Sequence, residues 1–184
     1  MTANPNPATT GGGHRLFFAL WPTDDVRVAL GRATHGVEMF VGAGRRTASE
    51  KHHLTLHFLG GWPAPPDDVI EQACDAAATV RADALRLVID HAGGFAAARV
   101  GWLAPSANAG LEALWASLGR ALDDAGIRYR SHERFTPHVT VLRNVRGRLA
   151  EVAIDPVPWS VHDFVLVHSH DGCYDIVDRW PLQP

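Results

Sequence analysis

Apolar and polar residues alternate along this chain in short runs, cut by Pro and Gly, and each run predicts an element. Residues 15–21 are an apolar stretch closed by Pro22, the signature of a buried strand. Thr23 is a good N-cap, and Asp24 and Asp25 favour a first helical turn, so a helix is expected to about Thr34, with a weaker strand over 37–41. Residues 53–59 alternate and stop at Gly60-Gly61, as a strand with one buried face does. Pro65 and Pro66 open a helix expected over 67–80, and 85–91 and 99–103 are strand-like. Asn108 caps a predicted helix with Leu111, Leu114, Trp115, Leu118 and Leu122 on one stripe, ended by Gly126. Further strands are expected over 127–130 and 137–143. Residues 161–169 and 174–180 predict a hairpin turned at Asp171-Gly172.

The rhythm of strand, helix, strand and strand occurs twice, which predicts an α+β fold and not a doubly wound parallel sheet. No linker divides the chain, so residues 14–184 are expected to form one domain. Its two similar halves suggest an internal duplication and are expected to form lobes flanking a cleft. Composition changes this little: 46% hydrophobic and 20% charged residues in a chain of 184 suit one globular domain. Residues 1–13, rich in Pro, Thr, Asn and Gly, lack the basic start and apolar core of a signal peptide and are expected to be a disordered tail. No apolar run nears the roughly 20 residues that cross a bilayer, so no membrane partner is expected. Cys74 and Cys173 fall in no metal or redox spacing and suit a reduced, cytoplasmic protein.

Two of the strand-like runs share a motif, His53-Leu54-Thr55-Leu56 and His138-Val139-Thr140-Val141. The period of 2 puts His53 and Thr55 on one face with Leu54 and Leu56 behind them, and likewise His138 and Thr140. Two imidazoles presented by separate strands suggest an acid–base pair. Hydrolysis of a phosphodiester needs a base for the attacking water and an acid for the leaving oxygen, and histidine serves either role near neutrality. The threonine hydroxyls beside them are suited to hydrogen-bond the nonbridging phosphate oxygens. A net charge of −3 argues against a general polyanion binder. Basic residues nevertheless gather around the motifs: Arg45, Arg46 and Lys51 before the first, Arg128, Arg130 and Arg134 before the second, Arg143 and Arg146 after it. They predict a local anion site.

Arg15-Leu-Phe-Phe-Ala-Leu-Trp21, His53-Leu-Thr-Leu-His-Phe-Leu-Gly60 and Phe135-Thr-Pro-His-Val-Thr-Val-Leu-Arg143 resemble the two-histidine phosphoesterases. The resemblance is greatest to the LigT branch, RNA 2′,3′-cyclic phosphodiesterases first named 2′-5′ RNA ligases. It runs over the chain after the tail, to a final Arg179-Trp-Pro-Leu182. It implies a bilobal α+β fold of pseudo-twofold, duplicated antiparallel sheets lining a central cleft, with helices outside. It further implies metal-independent opening of an RNA 2′,3′-cyclic phosphate to a 2′-phosphomonoester. His53 then corresponds to the proton donor for O3′ and His138 to the proton acceptor that activates water. Thr55 and Thr140 correspond to phosphate-oxygen ligands, and Arg143 to the family's arginine after the second motif. Strict alternation points Arg143 away from the cleft, so that role requires a strand end or a bulge. Phe58 stands at the matching place after the first motif.

Other residues add expectations of their own. His57, two positions past Thr55, is expected on the face of His53, bordering the cleft as a substrate contact, whereas His52 points the other way. Phe17 and Trp21 offer a surface for stacking a base, with core packing the competing role for Phe17. His132 is a candidate contact to RNA phosphates. The expected partner is RNA with a 2′,3′-cyclic phosphate end or a cyclic nucleotide, bound by a monomer. Three rival readings exist. A metal hydrolase would draw on the 11 histidines, but His53 and His57 lie four apart on a strand, where they do not converge on one ion, and no acidic cluster accompanies them. No metal or other cofactor is therefore expected. A non-catalytic RNA-end binding module would use the same cleft, though both motifs are intact. Ligation to a 2′-5′ bond, or action on other cyclic or 2′-5′-linked nucleotides, would use the same two histidines.

Overall fold

The apolar run near the N-terminus carries bulky side chains on both faces, and both faces find cover. Leu16, Phe18 and Leu20 enter the main core, while Phe17 and Ala19 join a second cluster with Val165 and Val167 on the opposite side. The computed structural model describes residues 13–41, 44–130, 134–146 and 150–184. The chain runs β1 (His14–Leu20), α1 (Asp24–Val41), β2 (Arg45–Arg46), a 3₁₀ turn (Ser49–Lys51), β3 (Leu54–Trp62), α2 (Asp67–Ala78), β4 (Leu85–Phe95) and β5 (Val100–Pro105). It continues through α3 (Ala109–Asp124), β6 (Val139–Arg143), β7 (Val152–Val161), β8 (Asp163–His170) and β9 (Cys173–Pro181). The strands form one sheet in the order β7-β4-β5-β6-β3-β1-β8-β9, with β2 beside β6. Neighbouring strands pair antiparallel, so the expected α+β class holds.

The sheet has a seam. β7-β4-β5-β6 comes from one contiguous stretch and β3-β1-β8-β9 from both ends of the chain; the two meet where Leu54 of β3 lies opposite Val139 of β6. The helices cover one face. α1 packs on β5, β6 and β7, while α2 and α3 pack on each other against β9 and β3. Leu30, Ala73, Leu111, Leu114, Leu118 and Leu122 thereby enter the same core as Leu54 and Val139. Among the described residues no helix is long and apolar enough to cross a membrane.

Several expectations hold in detail. The Asn108 side chain accepts a hydrogen bond from the Leu111 N–H at 2.9 Å and caps α3. Asp171 and Gly172 both have positive φ, 48° and 77°, as the tight turn between β8 and β9 requires. Others are corrected. Residues 37–41 are not a strand but the end of α1: Leu30, Thr34 and Val37 recur at helical spacing and are all buried. Residues 127–130 form no strand; Ile127 is buried, and the Arg130 N–H donates to the Phe58 carbonyl at 2.8 Å. β7 is unexpected because Pro156 and Pro158 interrupt it. As an edge strand it tolerates them, with its unpaired side turned outward. The tail expected over residues 1–13, except Gly13, and His132 lie outside the described residues.

Candidate active site

The seam is where the two motifs meet. Leu54 and Val139, the middle residues between each His and Thr, are fully buried opposite one another. Continuing that antiparallel register by one residue each way sets His53 across from Thr140 and Thr55 across from His138. All four are half-buried, on the face away from the helices. Two histidines and two threonines thus surround one point, each histidine facing the other motif's threonine.

The rings are held alike. His53 Nδ1–H donates to the Lys51 carbonyl at 2.7 Å, and His138 Nδ1–H donates to the Thr136 carbonyl at 2.8 Å. In each motif the acceptor lies two residues upstream. Committing Nδ1 to the backbone fixes the orientation and the tautomer of each ring.

The surroundings differ. His53 stacks on Phe17 at 4.8 Å and on Trp21 at 5.8 Å between ring centroids, and Tyr174 meets it edge-on at 5.6 Å. Burial by this aromatic wall pushes the His53 imidazole down to about 4; the Lys51 carbonyl opposes that shift, and the charges of Arg143, His138 and His52 add to it. Arg27 of α1 braces the wall. Its guanidinium lies 4.9 Å from the centre of the Trp21 ring and donates to the Ser49 and His52 carbonyls, just before His53. His138 meets Phe95 edge-on at 5.0 Å, beside a cavity of about 400 Å³ lined also by Trp102, Arg134 and Phe135.

A bulge after each motif sets the direction of the next side chains. On β3, Thr55 pairs with Ala19 and His57 with Phe18, leaving Leu56 as an extra residue. On β6, Thr140 pairs with Trp102 and Leu142 with Gly101, leaving Val141 extra. Each bulge reverses the alternation. Leu56 and His57 are both buried, as are Val141 and Leu142, and Phe58 and Arg143 return to the motif face. The bulge that a role for Arg143 requires is therefore present.

The same device corrects the expectation for His57. It does not border the cleft: it is 3% exposed on the helix side, donates Nε2–H to the Trp115 carbonyl at 2.8 Å and stacks on the Trp115 ring at 5.3 Å. Phe17, 5% exposed, supports the His53 ring from beneath and offers no open face to a base. His52 faces the core, 3% exposed. Sequence reasoning missed Tyr174, Arg27 and Phe95 at the site; they come from distant strands and a helix, with no local motif to mark them.

Known proteins point the same way. The family model of the 2′-5′ RNA ligase superfamily matches residues 42–172. The chain is 32% identical over 180 residues to a protein of Escherichia coli K12 named RNA 2′,3′-cyclic phosphodiesterase, covering 91% of this chain and 96% of that one. The crystal structure of E. coli LigT in apo form is similar with a TM-score of 0.74 at 29% identity, over 93% of this chain and 98% of that one. LigT complexed with 3′-AMP gives a TM-score of 0.74 at 27% identity, over 93% and 99%. With both motifs meeting at one seam and this similarity running nearly end to end, the chain belongs to the 2′-5′ RNA ligase superfamily.

Proposed function

We propose that the protein hydrolyses the 2′,3′-cyclic phosphodiester at the end of an RNA to a 2′-phosphomonoester, without a metal, using His53 and His138. The observation that carries this reading is the mirrored tethering of the two rings, each Nδ1–H on a carbonyl two residues upstream and each ring across from the other motif's threonine. A water placed on the His138 side loses its proton to Nε2 of that ring as its oxygen bonds to phosphorus. The P–O3′ bond breaks on the opposite side, and His53 Nε2–H gives its proton to O3′. Thr55 and Thr140 hold the nonbridging oxygens, and Arg143 balances their charge. The imidazolium and neutral imidazole have then exchanged roles, and bulk solvent restores them. The name of the E. coli relative supports this substrate class. In this reading the two halves of the sheet are the lobes, and they differ from the expected sequence halves: β4 lies with β5 and β6, and β8 and β9 lie with β1 and β3. The unpaired thiols of Cys74 and Cys173 suit the cytoplasm.

The test is product analysis on a short RNA ending in a 2′,3′-cyclic phosphate, with chelator present. A 2′-phosphate is expected. A 3′-phosphate, no product, or activity restored only by added metal overturns the proposal.

A further inference from the structure

β3 leaves β6 after Leu54 opposite Val139, and the two-residue strand β2 takes over the same edge a few residues on. There Arg45 lies opposite Arg143 and Arg46 opposite Leu142. Directly opposed residues of an antiparallel pair project to one face. Arg46 therefore shares the helix side with Leu142, where its guanidinium is held by the Glu38 carboxylate of α1 and meets His35 at 2.8 Å. Arg45 shares the side of Arg143, which the Val141 bulge has returned to the motif face.

The two arginines of this face are treated differently from Arg46. Both are exposed, and among the described residues no carboxylate lies within ion-pair distance of either. Like charges placed directly opposite on paired strands repel. The fold leaves that repulsion unrelieved beside its own reacting groups, and an anion between or upon the guanidiniums relieves it. Arginine's planar donors suit a phosphate. Along this edge of β6 the motif face presents His53 across from Thr140, and then Arg45 across from Arg143 about three residues further, roughly 10 Å of strand.

The reacting phosphate already meets an imidazolium, two hydroxyls and Arg143. From this arrangement we infer that Arg45 is a binding residue for a second anion: the internucleotide phosphodiester next to the reacting end of an RNA. Arg143 spans both phosphates. The inference rests on the proposed function, and it makes the enzyme a reader of RNA ends in preference to free cyclic nucleotides.

The experiment compares a cyclic mononucleotide with a trinucleotide ending in a 2′,3′-cyclic phosphate, for the wild type, R45Q, R45K and R46Q. R45Q is expected to lower kcat/KM for the trinucleotide about tenfold more than for the mononucleotide, through KM. R45K should recover part of that loss. The dependence of log KM on log salt for the trinucleotide should lose about 0.7 of its slope in R45Q, one phosphate contact's worth for a single strand. R46Q should affect both substrates to the same degree. Equal loss on both substrates in R45Q, or no loss, overturns the subsite while leaving hydrolysis intact. Failure of the wild type to open either substrate overturns the proposed function itself.

Discussion

His53 and His138 share a motif and a tether, yet only His53 is walled in by Phe17, Trp21 and Tyr174. Its imidazole sits at about 4 and is neutral at pH 7, which is the wrong state for the proton donor of the proposed mechanism. A phosphate monoanion arriving beside it favours the imidazolium and lifts that value, so substrate binding itself charges the acid. Titration of the His53 ring by NMR should therefore show a pKa well above 4 once a nucleoside 2′-monophosphate is bound. A ring that stays near 4 in the complex would remove His53 as the donor. Because the donor must enter the reaction charged, the pH profile of kcat/KM should bend near 4, where the free His53 ring takes up its proton. Alanine at His53 or at His138 should each lower kcat by about 10²–10⁴-fold. The double variant should lose little more than either alone, since both rings serve one step.

The elements explain why the motif is readable in the sequence and its neighbours are not. His53, Thr55, His138 and Thr140 obey plain alternation, so their shared face can be read directly. Beyond each threonine a bulge reverses the alternation, and nothing in Leu56-His57 or Val141-Leu142 announces it. For that reason alternation alone sends His57 into the cleft, whereas the ring faces α3. The helix stripe of α3 is clear because Leu111, Leu114, Leu118 and Leu122 keep a regular spacing. The run at 152–161 is hidden by prolines that only its place at the sheet edge makes tolerable. In its actual position His57 begins an aromatic column: its ring stacks on Trp115, and Trp115 stacks on Phe135 at 5.0 Å with only 9° between planes. Phe135 lies three residues before His138, so the column fixes the approach of the second motif. Gly119 makes room for it, since a Cβ there would sit 3.3 Å from His57 Cε1 and from the Tyr129 hydroxyl. Replacing Trp115 with Ala should lower kcat about tenfold, from misplacement of His138 by a fraction of an ångström. W115F should recover most of it. The assays belong well below each variant's Tm, and equal kcat for W115A and wild type would show that the column does not position His138.

For the whole molecule, the same neutral histidines tie the fold to pH. His52 is buried on the core face, and desolvation lowers its pKa. His168 lies on the helix side of β8, its ring 2.9 Å from that of His14, and it too is lowered, by burial first and then by the charges of His170 and His14. His53 is the third. Each titrates near 6.5 when the chain is unfolded. Below that pH the unfolded chain therefore binds protons that the folded chain refuses, and stability falls as pH drops from about 6.5 towards 4. His170 shifts the other way because of Asp175, but the pair lies at the surface, with Asp175 exposed, and its effect is screened. His53 alone accounts for at most about 2 kcal/mol lost by pH 5. In a chain of this length that is a fall of roughly 4–8 °C in Tm. Gln at position 53 carries no titrating ring, so thermal unfolding of H53Q at pH 7.5 and pH 5 should show a smaller difference than the wild type. A bound nucleoside 2′-monophosphate should shrink the wild-type difference as well, because the anion restores the proton that the aromatic wall excludes. If wild type and H53Q lose the same Tm between these two pH values, the wall does not hold His53 neutral, and the coupling between substrate binding and the acid's charge fails with it.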